Sequence, residues 1–242
     1  MINPNAILEI NSSKLLKNYK LISKFTKKSF AGATIKANAY GIGNIEVFKI
    51  LFRNGCRHFF FSSLDEAIKI RKKISEGNLH VLNGLEKNDF KIYKTKNIIP
   101  ILISIEELNI YIKKKLNKKN YKIGIHLDTG INRLGIQINN LRYNDTKNLN
   151  IEILMSHFTS ADELKNNYSK IQNIKFQSSF KFFKNIKFKS LSNSAGIIQS
   201  KNFHYDIVRP GISLYGGYEN KSLNKILKIN PILIIKAKIL QI

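Results

Sequence analysis

The chain has 242 residues, is 43% apolar and carries a formal net charge of +25. That is enough for one large domain, or one domain and part of a second. The charge at first suggests nucleic acid or a membrane surface, but 35 lysines stand against six arginines, Ile and Asn are also heavily used, and the bases are dispersed rather than interleaved with aromatics as a single-strand platform needs; a genome biased toward A/T-rich codons explains it more simply.

In chain order, "NAILEI" (5–10) reads as a strand and "SKLLKNYKLISKF" (13–25) as a helix. A β/α rhythm follows. Strands are predicted at 30–37, 57–63, 79–84, 98–104, 121–128, 151–158, 188–194 and 206–211, each a short run rich in apolar residues. Helices are predicted at 45–55, closed by Gly55, at 64–74, at 86–95, at 105–117 with Ser104 as N-cap, and at 166–185. Residues 194–200 read as a turn or short helix. Eight strands in strict alternation imply a parallel sheet closed as an α/β (β/α)8 TIM barrel, with a doubly wound open sheet as the alternative. The first strand and helix are extra to that barrel. "NPILIIKAKILQI" (230–242) alternates apolar residues with Lys and reads as one more strand, too short and too charged to span a bilayer. The expected division is a barrel domain at 1–228 and, at 229–242, the first strand of a further β domain that is mostly missing. One cysteine, Cys56, allows no disulfide within the chain and reads as a small buried residue. "MINPNAILEINSS" lacks the basic and apolar regions of a signal peptide, so a cytoplasmic protein is expected.

In such a barrel the chemistry lies at the carboxyl ends of the strands. Five predicted ends deliver polar groups. Lys36 and Tyr40 follow the first, Arg133 in "DTGINRLG" follows the fifth, and His157 follows "ILMS". Asn193 and Ser194 follow "SLS"; Arg209, Gly211 and Ile212 lie in "RPGI" after the last. Lys36 comes after the apolar run Ala33-Thr34-Ile35. An amine there is desolvated, which lowers its pKa and favours the neutral nucleophile, although a lysine snorkelling from a strand end has the same pattern. "RPGI" and "NSAG" offer backbone amides and a hydroxyl suited to a phosphate. Arg133 and Arg209 can offer the planar fork that Lys cannot. The five histidines show no metal-site spacing, and there is no P-loop, Rossmann fingerprint or GxSxG.

In order, "AILEINSSKLLKNYKLI", "TIKANAYGIG", "LDTGINRLGI", "SHFTSAD", "SLSNSAGII" and "DIVRPGISLYG" resemble the alanine racemases, the fold-type III pyridoxal-phosphate enzymes. The likeness runs over essentially the whole chain. It implies pyridoxal 5'-phosphate as cofactor, carried covalently by Lys36, which also acts as one of two catalytic bases. It implies that Tyr40, Ser194 and the amides of Gly211 and Ile212 hold the phosphate, and that Arg209 faces the ring nitrogen. His157 would pack near the ring with Asn193 beside it, and Arg133 would lie near the substrate carboxylate. The implied reaction interconverts L- and D-alanine for peptidoglycan, in a homodimer with shared active sites. Two departures stand out. His126 occupies the position where many members carry a lysine whose carbamylation orients the arginine. The family's C-terminal β domain, which supplies the second base from a tyrosine, would begin where this chain ends. A chain that binds cofactor but racemises poorly is therefore expected. The alternatives are a racemase for serine or of broad specificity, and a single-domain pyridoxal-phosphate homeostasis protein; no nucleic acid, membrane or metal partner is expected.

Overall fold

The computed structural model describes residues 5–85 and 90–241. β1 (Ala6–Ile10) leads into α1 (Ser12–Phe25), which starts where the Asn11 side chain accepts the Lys14 amide. The first barrel stave is β2 (Phe30–Ala31) continued by β3 (Ala33–Thr34), one run notched at Gly32, where a Cβ would press on the Phe60 ring. A short turn, α2 (Lys36–Tyr40), and α3 (Asn44–Arg53) come next. The alternation proceeds through β4 (His58–Phe61), α4 (Leu64–Arg71), β5 (Asn78–Val81), α5 (Phe90–Thr95), β6 (Ile98–Leu102) and α6 (Ile105–Lys113). It continues with β7 (Ile123–Asp128), a short β8 (Ile136–Gln137), α7 (Tyr143–Thr146), β9 (Asn150–Met155) and α8 (Tyr168–Ser178). β10 (Asn185–Ser190), α9 (Ser194–Gln199) and β11 (Ile207–Val208) complete the ring, and β12 (Leu233–Ala237) lies beyond it.

Parallel pairing runs β3–β4–β5–β6–β7–β9–β10. On its free side β2 pairs in parallel with β11, Phe30 opposite Ile207 and Ala31 opposite Val208. β11 closes onto β10, since the amides flanking it, Asp206 and Arg209, donate to the carbonyls of Lys189 and Ser192 at 3.0 Å. Eight staves thus form a closed ring, the (β/α)8 barrel the alternation predicts. Phe60, Ile101, Ile153, Met155 and Ile207 plug its interior. Each such fully buried side chain stabilises the fold by roughly 1.5–3 kcal/mol. Gly124 is glycine because a Cβ there would run into Ile101 and Ile153. A larger apolar layer packs between the strands and the outer helices, and it includes Cys56, which is fully buried.

Several boundaries differ from the sequence expectation. The strand expected at 30–37 stops at Thr34, because residues 37–40 turn left-handed. The helix expected at 166–185 ends at Ser178, a 3-10 turn covers Ser179–Phe182, and β10 starts at Asn185. In β10, Lys187 and Lys189 alternate with Ile186 and Phe188; within a lysine-rich stretch that period-two pattern is easily taken for a helix end. The helix expected at 105–117 stops at Lys113, with a 3-10 turn at Leu116–Lys119. β8 and α7 were not expected. The first four residues of the helix expected at 86–95 lie outside the described residues.

β1 pairs antiparallel with β12, from Ala6 opposite Ala237 to Ile10 opposite Leu233. Every residue of both strands is exposed, Ile7, Leu8, Ile234 and Ile235 among them. Asn18, fully buried on α1, fastens this end of the molecule. Its amide donates to the carbonyls of Leu214 (3.0 Å) and Asn230 (2.8 Å), and its oxygen accepts the Asn230 amide (2.8 Å). Among the described residues no helix is long and apolar enough to cross a membrane, and no group of three or more His, Cys, Asp or Glu could hold a metal ion.

Candidate active site

Lys36 sits where the first stave gives way to a turn of left-handed helix. Ala37, Asn38, Ala39 and Tyr40 all have φ between +50° and +57°. Non-glycine residues pay about 1 kcal/mol or more each for this conformation, so the surroundings must impose it. The turn is closed by the Ala39 amide on the Ile35 carbonyl and the Gly41 amide on the Ala37 carbonyl, both 2.9 Å. The Asn38 side chain accepts the Asn44 amide at 3.0 Å and so joins the turn to α3. Lys36 and Tyr40 thereby reach the same cleft. Burial, then the Arg133 charge, lower the pKa of Lys36, while Glu66 opposes them. The shift is in the direction the strand-end position suggested.

The second corner of the cleft is built from the loops after β10 and β11. Asn193 caps α9 by accepting the Gly196 amide at 2.9 Å. Three donors converge on the Ser194 Oγ: the amides of Gly211 (3.0 Å) and Ser213 (3.3 Å) and the Ser213 hydroxyl (3.0 Å). A hydroxyl has two lone pairs, so this corner has donor capacity to spare for an anion. Gly211 leaves the space into which the Tyr40 hydroxyl reaches; a Cβ would collide with it. That hydroxyl has no hydrogen-bond partner among the described residues.

Arg209 forms the floor. It is 5% exposed, and it donates to the Ser190 hydroxyl and to the carbonyls of Ser156 (2.6 Å) and Leu191 (3.3 Å). No carboxylate pairs with it among the described residues. Burial lowers it to about 9, so the guanidinium stays charged at neutral pH. Its Nη2 lies 3.4 Å from the His157 Nδ1. Burial, then Arg209, hold His157 well below the ordinary histidine value. Burial pushes His126 down to about 3, and its buried Nε2 has no hydrogen-bond partner among the described residues. Both rings are therefore neutral at physiological pH. Arg133 is exposed at the rim, without a partner among the described residues.

These groups line one cleft of about 370 Å³ at the carboxyl ends of the strands. Every site residue expected from sequence lines it: Lys36, Tyr40, Arg133, His157, Asn193, Ser194, Arg209, Gly211 and Ile212. Thr34, Ser62, Asn83, Met155 and Glu219 line it too and were missed, since no local pattern marks a lone side chain at a strand end. Ser213 was missed as well, although it lies within the "RPGIS" run. Two larger hollows, about 500 and 700 Å³, lie at the amino-terminal ends of the strands, where barrel enzymes do not work.

A closed (β/α)8 barrel whose carboxyl-end cleft is lined by a partly buried lysine and a donor-rich corner has the layout of a barrel enzyme. The chain belongs to the alanine racemase family: the family model "Alanine racemase, N-terminal domain" matches residues 10–219. It is 36% identical over 243 residues to the alanine racemase of Rickettsia canadensis, covering 97% of this chain and 66% of that protein. The Rickettsia bellii alanine racemase is 38% identical over 202 residues, 80% of this chain and 49% of the relative. The chain thus spans about two thirds or less of the length of these curated relatives. Among solved structures, the alanine racemase of Bartonella henselae, with covalently bound pyridoxal phosphate, superposes with a TM-score of 0.87 at 25% identity, over 99% of this chain and 71% of the other. The alanine racemase of Clostridium difficile 630 shares the fold with a TM-score of 0.88 at 24% identity, over 99% and 66%.

Proposed function

We propose that this chain is the cofactor-holding barrel of a pyridoxal-phosphate-dependent alanine racemase, which interconverts L- and D-alanine for cell-wall peptidoglycan. The observation that carries this reading is Lys36: one desolvated amine at the barrel mouth, sharing its cleft with the donor-rich corner at Ser194 and Gly211. The residues present fit the group, since that corner has donors to spare, the absence of a Cβ at Gly211 lets the Tyr40 hydroxyl reach into it, and burial lowers the pKa of the lysine.

When bound, the cofactor supplies an electron sink for the substrate Cα. The side chains do the rest. The Lys36 amine holds the cofactor and then takes or returns the Cα proton on one face. Tyr40, Ser194 and the amides of Gly211 and Ile212 hold the phosphate. Arg209 has donors only and does not readily release a proton, so it keeps the ring nitrogen unprotonated and limits side reactions. His157 and Asn193 flank the ring, and His157 and His126, both neutral, add no competing charge. Arg133 offers its fork to the substrate carboxylate. Among the described residues the cleft has Lys36 as its one amine and Tyr40 as its one phenol, and Tyr40 is committed to the phosphate. The second base, a cytoplasmic setting and a homodimer with shared sites belong to this proposal through the family.

The test is an absorbance spectrum of the purified 242-residue chain with added pyridoxal phosphate, beside that of Lys36→Ala. A visible band of lysine-bound cofactor is expected in the first and absent in the second. No band in the wild type sinks the reading. Alanine racemisation followed in the same sample should be weak; fast interconversion in both directions would overturn the one-base view of this chain.

A further inference from the structure

Glu66 does not line the cleft, yet both its carboxylate oxygens hold loops that build it. Its Oε1 accepts the Asn38 amide at 2.9 Å, inside the left-handed turn two residues after Lys36. Its Oε2 accepts the amide of Ser62, a cleft residue, at 3.0 Å. Glu66 stands in the first turn of α4, where the Ser63 cap accepts its own amide. A carboxylate can take both bonds because it has acceptors on both oxygens, whereas an amide in its place would turn an NH2 group toward one backbone N–H. We propose that Glu66 is a positioning residue for Lys36, clasping the left-handed turn that presents the amine to the cleft. Charge follows geometry here: Glu66 favours the protonated amine, against burial and Arg133, while His157 nearby is neutral.

The fold contains its own control. Glu107, in the first turn of α6 behind the Ser104 cap, repeats the device. It accepts the Ile103 amide at 2.8 Å and the Leu85 amide at 2.9 Å. The loops it holds do not carry Lys36.

The inference rests on the reading of Lys36 as the cofactor-bearing amine, but its first measurement needs no cofactor. Competitive acetylation of the 242-residue chain across pH, resolved by peptide mass spectrometry, gives the protonation midpoint of Lys36. Titration with pyridoxal phosphate then gives capture. Glu66→Gln should move the midpoint down and weaken capture by about tenfold, the size of one lost charged hydrogen bond. Glu66→Asp keeps the charge but is too short to reach both amides. It should hold the midpoint near the wild-type position while capture still weakens. Glu107→Gln should lower the melting temperature and leave the Lys36 midpoint where it was. The assignment fails if Glu66→Gln leaves midpoint and capture unchanged, or if Glu107→Gln moves the midpoint as far. A wild type that captures no pyridoxal phosphate would overturn the cofactor reading instead, and the midpoint would still decide on Glu66.

Discussion

A methyl group added at Gly211 would meet the Tyr40 hydroxyl, and Tyr40 cannot simply retreat, because the Tyr215 ring lies behind it with centroids 4.8 Å apart. Tyr215 is itself fixed by donating to the Thr34 carbonyl at 2.9 Å. Overpacking of this kind costs about 1–3 kcal/mol. Gly211→Ala should therefore weaken pyridoxal phosphate binding by roughly tenfold, read from titration of the visible band, and lower the melting temperature by a few degrees. Binding as tight as the wild type would remove Tyr40 and Gly211 from the phosphate corner. Residue types at strand ends were enough to find this corner, since glycine, arginine and lysine there each have a physical use. The left-handed run at Ala37–Tyr40 could not be read in the same way. Its sequence, Ala-Asn-Ala-Tyr, contains no glycine to mark it, and the conformation is imposed by Glu66, Asn44 and the chain around it.

Among the elements, the eight staves were legible because buried parallel strands are short apolar runs between helical stretches. Their ends were less so. β10 has only one fully buried residue, Ser190, and its alternating lysines give a surface pattern. The clasps of α4 and α6 did leave a signal: Ser63 and Glu66, like Ser104 and Glu107, have the Ser-x-x-Glu spacing of a helix start. What the spacing does not reveal is that each carboxylate also reaches a second loop. Asn18 acts at the same scale, as a buried bracket between α1 and residues 214 and 230. Asn18→Leu strands two carbonyls and one amide. A loss of about 3 kcal/mol is expected, or roughly 6–12 °C in melting temperature. Calorimetry showing a shift under 2 °C would mean that water or a shifted backbone replaces the bracket.

For the whole molecule, acid is the weak side. Burial holds His58 down to about 4 and His126 down to about 3, against 6.5 for an ordinary histidine. Above pH 6.5 both states of the chain are neutral at these sites and the histidines cost nothing. Below it the unfolded chain binds protons that the native state refuses, so stability falls as pH drops toward about 4 and then about 3. At pH 5 each site should cost about 2 kcal/mol. Urea midpoints at pH 7.5 and pH 5 would measure this, and His126→Gln should reduce the difference by that one site's share; an unchanged midpoint at pH 5 would contradict it. The ribbon of β1 and β12 governs another property, the order in which the molecule can be completed. Ala6 must wait for Ala237, and Phe30 for Ile207. The first seam can form only once residue 237 has left the ribosome, and the second only once residue 207 has. At about 5–20 residues per second, the earliest strands stay unpaired for on the order of 10–40 s. During that interval the nascent barrel is an open sheet with apolar edges, and its yield in a cell will depend on what shields those edges before the last strands arrive.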